Sequence, residues 1–222
     1  MIIDIFGIER IYFDDEKDNI FVIEDTNIFS QIVNSVYEYY NGEKNDLLIL
    51  SDDKIITKNQ LLLVTDIINF DFQSKTIINK LNNNVYNQII FNSDLEQQII
   101  EKINNINNLI NDVLYDYNLD IEIKKEKQIE NYIKYLGLKI ESCYDNLLNK
   151  ILNIIEIVSE LFPNYYVIFI NQLAYFDKNQ ILEIFKYKNY KKCNILFIEK
   201  YFNQINSINR IIIDKDFYVY QC

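Results

Sequence analysis

Histidine and tryptophan are absent from the 222 residues, and glycine (3), proline (1), methionine (1) and cysteine (3) are scarce. Without histidine there is no imidazole base, no Ser-His-Asp triad and no histidine-ligated metal. Cys143, Cys193 and Cys222 are odd in number and far apart, which gives neither a zinc motif nor a redox pair. They read as buried or free thiols in a reducing compartment. The longest apolar run, Tyr165 to Ile170, is far short of the roughly 20 residues of a membrane span. The start, MIIDIFGIER, has no basic stretch followed by an apolar one. A soluble, cytoplasmic protein with no membrane partner is the expectation. With so few glycines and prolines, sharp turns are rare, and long helices and strands should dominate.

What is present narrows the class further. Hydrophobic residues make up 49% of the chain and aromatics 14%, which excludes a disordered chain despite the many asparagines. The excess of Asn, Ile, Lys and Tyr reads as AT-rich codon usage. The length suits one domain, or one domain carrying a large insertion. Lys and Arg number 22 against 33 Asp and Glu, a net charge of −11. Any attraction to nucleic acid therefore has to come from a local basic surface.

Along the chain, residues 20–25 (IFVIED) read as a short buried strand, with Thr26 as N-cap of the next helix. Apolar residues at 28, 29, 32, 33, 36, 37 and 40 give that helix its face, and Gly42 ends it. The runs LLIL (47–50) and LLLV (61–64) fit either two strands or a strand and a short helix. After the capping cluster Asn92-Ser93-Asp94, Leu95, Ile99, Ile103, Ile106, Ile110, Val113 and Tyr117 form a heptad-like seam on a long helix. A second helix through Ile129, Tyr132, Ile133 and Leu136 stops at Gly137, and a third from Leu147 to Leu161 stops before Pro163. Together these three patterns read as a helical insertion. The last third alternates strand and helix: YYVIFI (165–170), a helix after Asp177, NILFI (194–198), then RIII (210–213) and FYVY. Continuous apolar strands mean a sheet covered on both faces, usually a parallel one. The predicted architecture is an α/β head with a mainly parallel sheet, interrupted by an α-helical leg. Its boundaries are head 1–75, leg 76–145 and head 146–222.

A parallel α/β sheet raises the question of nucleotide binding, which needs a glycine-rich loop after the first strand. Here Asp25-Thr26-Asn27 follows that strand, and its acidic turn would repel a triphosphate. The acidic stretch Asp112, Asp116, Asp120, Glu122, Glu126 and Glu130 has two open readings, a solvated face or a calcium site. Its spacing is not that of an EF-hand, but calcium accepts many arrangements of 6 to 8 oxygens. Asp14, Asp15, Glu16 and Asp18 read as a turn between two N-terminal strands. Lys124, Lys125, Lys127, Lys134 and Lys139 gather beside the leg, and Lys54 and Lys58 lie in a separate turn. They serve either ordinary solubility or, if they line one face, phosphate contacts.

The segments VIED (22–25), FSQIV (29–33), LLVTDIINFDFQSKTI (62–77), LDIE (119–122), IKYLGLKIE (133–141), NILFIEK (194–200) and IIDKDF (212–217) carry a resemblance. In this order they resemble the type II-A CRISPR-associated spacer-acquisition family, whose members are ring-forming adaptation subunits. The resemblance implies a homotetramer whose α/β head is similar to a P-loop ATPase without a working nucleotide site. It implies a non-enzymatic role, in which a calcium-organised ring encircles double-stranded DNA and prefers free ends. The implied partners are the CRISPR integrase complex and the RNA-guided effector nuclease. Residue by residue, it assigns calcium to Asp120 and Glu122, then Glu126, with Asp116 and Glu130 as weaker candidates. It assigns DNA contact to Lys54, Lys134 and Lys139, with Lys124 and Lys125 beside them. A degenerate NTPase-like adaptor that mainly docks protein partners is the alternative.

Overall fold

The computed structural model describes residues 1–5, 10–13, 18–43, 46–51, 54–123, 128–141 and 144–221. The chain divides into two compact units, one formed by Met1–Phe70 with Cys143–Cys222 and the other by Asp71–Ser142.

In the first unit, β1 (Ile2–Ile5) and β2 (Ile11–Tyr12) precede β3 (Asn19–Ile23), and α1 (Thr26–Asn41) follows. Next come β4 (Leu47–Ser51), β5 (Lys54–Ile55), a single 3-10 turn at Lys58–Gln60, and β6 (Leu61–Val64). After the insertion the chain continues through α5 (Leu147–Leu161), β7 (Tyr166–Ile170), α6 (Lys178–Lys191), β8 (Asn194–Glu199), β9 (Asn209–Ile213) and β10 (Val219–Gln221). Both LLIL and LLLV are thus strands. Six strands form one sheet in the order β10-β9-β3-β8-β7-β6. From β9 to β6 every pairing is parallel, and only β10 runs antiparallel.

All five residues of β3 are buried, because both faces of this sheet are covered. Phe21, Ile23, Ile168, Ile170, Leu196, Ile198, Ile211 and Ile213 share a core with Ile28, Ile32 and Val36 of α1. Ile3, Ile11, Leu47 and Ile49 belong to that same core. They come from a second sheet, antiparallel throughout, in the order β2-β1-β4-β5. The alternate residues of the parallel strands, among them Val167, Phe169, Ile195 and Phe197, are buried too. Phe197 stacks on Phe169 at 5.1 Å between ring centroids and meets Phe185 of α6 at 5.3 Å.

The structure differs from the sequence expectation at several points. Asp25, not Thr26, caps α1, because its carboxylate reaches the N–H groups of Asn27 and Ile28 at 2.8 and 3.0 Å. The third helical pattern, α5, is not part of the insertion but lies in the first unit, on the head side of the expected boundary at 146, and Tyr187 and Lys191 of α6 both donate to Glu156 on α5. Lys54 lies in strand β5, not in a turn, and Lys58 lies in the 3-10 turn. Residues 14–17 of the acidic run lie outside the described residues. Asp18 accepts from Asn189 at 2.9 Å and sits 3.6 Å from the Lys188 ammonium.

Gly42 ends α1 at φ 74°, and the Lys58 side chain lies where a Cβ would go. Gly137 ends a helix of the second unit at φ 62° with open space beside it. Gly137→Ala is expected to cost about 1–2 kcal/mol for the left-handed backbone. Gly42→Ala should cost more, because Lys58 must also move. Urea midpoints that rank the two variants the other way would refute this.

The second unit contains α2 (Lys75–Phe91), α3 (Ser93–Leu114) and α4 (Gln128–Leu136). α2 is not among the helices expected from the sequence, although Ile77, Leu81, Val85 and Ile89 recur four apart. Asn92 alone separates α2 from α3, and its side chain accepts from the Leu95 N–H to start α3. The small core holds Phe72, Ile77, Ile129 and Ile133. No residue of α3 is buried: Leu95, Ile106, Leu109, Ile110 and Val113 are all exposed. Tyr117 lies beyond the end of the helix. Among the described residues no helix is long and apolar enough to cross a membrane.

Candidate functional site

The carboxylates that the sequence singles out follow α3. Its last turn closes when the Tyr115 N–H donates to the Asn111 carbonyl and the Tyr117 N–H to that of Leu114, both at 3.1 Å. The chain then leaves without regular structure and turns Asp120 and Glu122 back toward the helix end. A cleft of about 610 Å³ is lined by Asn111, Tyr115, Tyr117, Asp120 and Glu122, with Leu114, Leu119 and Ile121 as its apolar part. Asp116 is exposed but does not line it. Glu126, Lys124 and Lys125 lie outside the described residues.

The donors in this cleft are carboxylate, amide and phenol oxygens, the hard ligands that calcium takes. Two carboxylates and one amide fit the ion in kind but fall short of 6 to 8 oxygens, and further ligands would have to complete the set. Among the described residues no three His, Cys, Asp or Glu side chains converge as a metal-holding group.

The candidate lysines are placed differently from one another. Lys134 on α4 is ion-paired to Glu130 one turn earlier, at 2.6 Å. Its charge is therefore partly engaged before any phosphate arrives. Lys139 is exposed beyond the Gly137 turn, and Lys54 is exposed on β5 in the other unit.

At the carboxyl ends of the parallel strands, where α/β proteins bind nucleotides, the start of α1 is capped by the Asp25 carboxylate. Phosphate would need those same N–H groups. The Lys200 ammonium donates to the Glu24 carbonyl beside it.

A buried polar network that the sequence reading missed lies at this end. Gln172 Oε1 accepts from the Ile67 N–H at 2.9 Å, while its Nε2 donates to the carbonyls of Thr65 (2.9 Å) and Ile170 (2.6 Å). The N–H groups of Gln172 and Leu173 both donate to Glu199 Oε1 at 2.9 Å. Glu199 Oε2 is buried without a hydrogen-bond partner. Burial pushes this carboxyl up to about 7, and the two backbone donors offset only part of that. The one sequence signal was an acid ending the apolar strand NILFIE. Cys193 is pushed up to about 11, chiefly by burial, so its thiol is a poor nucleophile.

These features define an α/β protein with a mostly parallel sheet and a helical insertion. It carries an oxygen-lined cleft in that insertion and a carboxylate where phosphate would sit. The chain matches the family model described as CRISPR-associated protein (Cas_Csn2) over residues 38–217, and it belongs to that family. A relative from Streptococcus agalactiae named CRISPR-associated protein Csn2 is 29% identical over 202 residues, covering 90% of this chain and 89% of its own. One of the same name from Enterococcus faecalis is 24% identical over 204 residues, covering 92% and 91%.

Proposed function

We propose that this protein is a non-catalytic scaffold for double-stranded DNA in CRISPR spacer acquisition, acting in the cytoplasm as a calcium-stabilised homotetrameric ring around linear DNA. The match to the CRISPR-associated family over residues 38–217 carries this reading. The exposed apolar seam of α3 supports assembly, because a helix face of this kind is buried by a partner helix in stable proteins. Asp120 and Glu122, with Asn111 beside them, are the groups that would hold calcium, and Asp116 and Glu126 are the next candidates along the chain. The bound ion would supply positive charge that offsets acidic repulsion between copies.

Lys54, Lys134 and Lys139, with Lys124 and Lys125, are the candidate phosphate contacts. Lys134 would exchange Glu130 for a phosphate oxygen. Four copies carry −44, four times the −11 of one chain, so these lysines have to be segregated toward the DNA. In this reading the first unit is a head similar to a P-loop ATPase whose phosphate position Asp25 has taken, and the second is its leg. The integrase complex and the RNA-guided effector nuclease are the partners.

The test compares binding to linear and to closed circular duplex, with calcium and with chelator. Linear duplex in calcium should bind best, and each phosphate neutralised should steepen the salt dependence by about 0.9 log units. Asp120→Ala with Glu122→Ala should make the calcium and chelator results alike. Equal affinity for linear and circular DNA would sink the ring.

A further inference from the structure

Of the three glycines only Gly42 follows an asparagine, so Asn41-Gly42 is the single Asn-Gly step in the sequence. Such a step is chemically labile, because a glycine nitrogen with no Cβ beside it can approach the asparagine side chain with little hindrance. Asn41 is the last residue of α1 and is exposed. Backbone hydrogen bonds nevertheless hold the step shut. The Gly42 N–H donates to the Tyr39 carbonyl at 3.0 Å and the Glu43 N–H to the Glu38 carbonyl at 2.9 Å, the paired bonds of a Schellman cap. The Lys58 side chain lies against Gly42, and the Tyr39 hydroxyl donates to the Ile56 carbonyl, so the last turn of α1 is tied to the segment that leads into the 3-10 turn.

We infer that Asn41 is a site of spontaneous covalent modification, deamidation, and that the C-terminal cap of α1 gates it. In the closed cap the Gly42 nitrogen keeps its proton in a hydrogen bond, and the helical backbone of Asn41 holds that nitrogen out of line with Cγ. Helix ends fray, and when this turn opens the nitrogen loses its proton to solvent and attacks Asn41 Cγ. A C–N bond forms, ammonia leaves, and a five-membered succinimide results. Water then opens the ring. Cleavage of the bond to the backbone carbonyl leaves isoaspartate, and cleavage of the bond to Cγ leaves aspartate. One water is consumed and one ammonia released, with no change of oxidation state. Either product puts a carboxylate at the negative end of α1, close in sequence to Glu38 and Glu43. Isoaspartate also adds a carbon to the main chain, so the bonds from Gly42 and Glu43 cannot both re-form and the cap is lost. Each opening that reacts is therefore permanent.

The test incubates the full chain at physiological temperature, native and in urea, and follows each asparagine by peptide mapping with mass spectrometry that resolves the aspartate and isoaspartate forms. Conversion should appear at Asn41 before the Asn-Ser steps at Asn34, Asn92 and Asn206, chiefly as isoaspartate, and should run severalfold faster in urea than in the native chain. Tyr39→Phe removes the tie to Ile56 and should speed conversion severalfold in the native chain while leaving the rate in urea unchanged. Asn41→Gln should leave position 41 intact throughout, because its longer side chain would have to close a six-membered ring. Asn-Ser steps that convert first in urea overturn the site. So does a native chain whose Asn41 is still intact when every urea sample has converted, since the folded protein then never uses it. Equal rates in native buffer and urea, or a native Tyr39→Phe rate equal to that of wild type, overturn the gate.

Discussion

Glu199→Gln is expected to make the protein more stable at pH 8, by up to about 3 kcal/mol, and to flatten the fall in stability between pH 4.5 and 7. The Glu199 carboxyl lies at about 7 when folded against an ordinary value of 4.5. Below pH 4.5 it is protonated in both states, and its contribution is whole. As the pH rises, the unfolded chain loses this proton first, so stability drains away until the folded carboxyl ionises near pH 7. Glutamine has no proton to lose. Its amide oxygen keeps the N–H groups of Gln172 and Leu173, and its NH2 takes the place of an oxygen that already lacks a partner. Urea titrations at pH 5 and pH 8 provide the check, and parallel slopes for wild type and variant would refute the assignment. Glu199→Ala should destabilise at both pH values, since it strands two buried N–H groups and opens a cavity.

Phe197→Ala is expected to cost about 3–5 kcal/mol, a large share of the 5–15 kcal/mol that holds a typical domain together. Phe197 is fully buried on the central strand β8 and touches Phe169 on β7 and Phe185 on α6. Neither neighbour can collapse into the space, because each is fixed on its own rigid element. Phe197→Leu keeps most of the volume and should cost far less. A urea midpoint for Phe197→Ala within error of wild type would show that the ring is not part of the core.

These two residues show what the sequence makes legible. The strands β3, β7, β8 and β9 are readable because a strand buried on both faces is an unbroken apolar run. The helices α3, α5 and α6 are readable because Asn92, Asn146 and Asp177 accept hydrogen bonds from backbone N–H groups one to two residues inside each start. The antiparallel sheet is harder to read. β1, β2 and β5 are two to four residues long and one face is wet, so neither periodicity nor continuous apolarity marks them. The pairing of Asp120 with Glu122 in one cleft follows from a helix end and an irregular segment that local pattern does not describe. The Gln172 network joins groups up to 107 residues apart, and no window along the chain contains both partners.

The parallel sheet is assembled from the two ends of the chain. β3 is flanked by β8 and β9, with Asn19 paired to Asn209, so the strand made among the first twenty-odd residues waits for nearly the last. During synthesis, the apolar segment NIFVI leaves the ribosome long before either neighbour exists. The helices of residues 71–142 close through local contacts and can form meanwhile. Until then both edges of this fully buried strand lack their partners. The same topology that buries β3 so completely leaves it without its partner strands until residue 213 has been added.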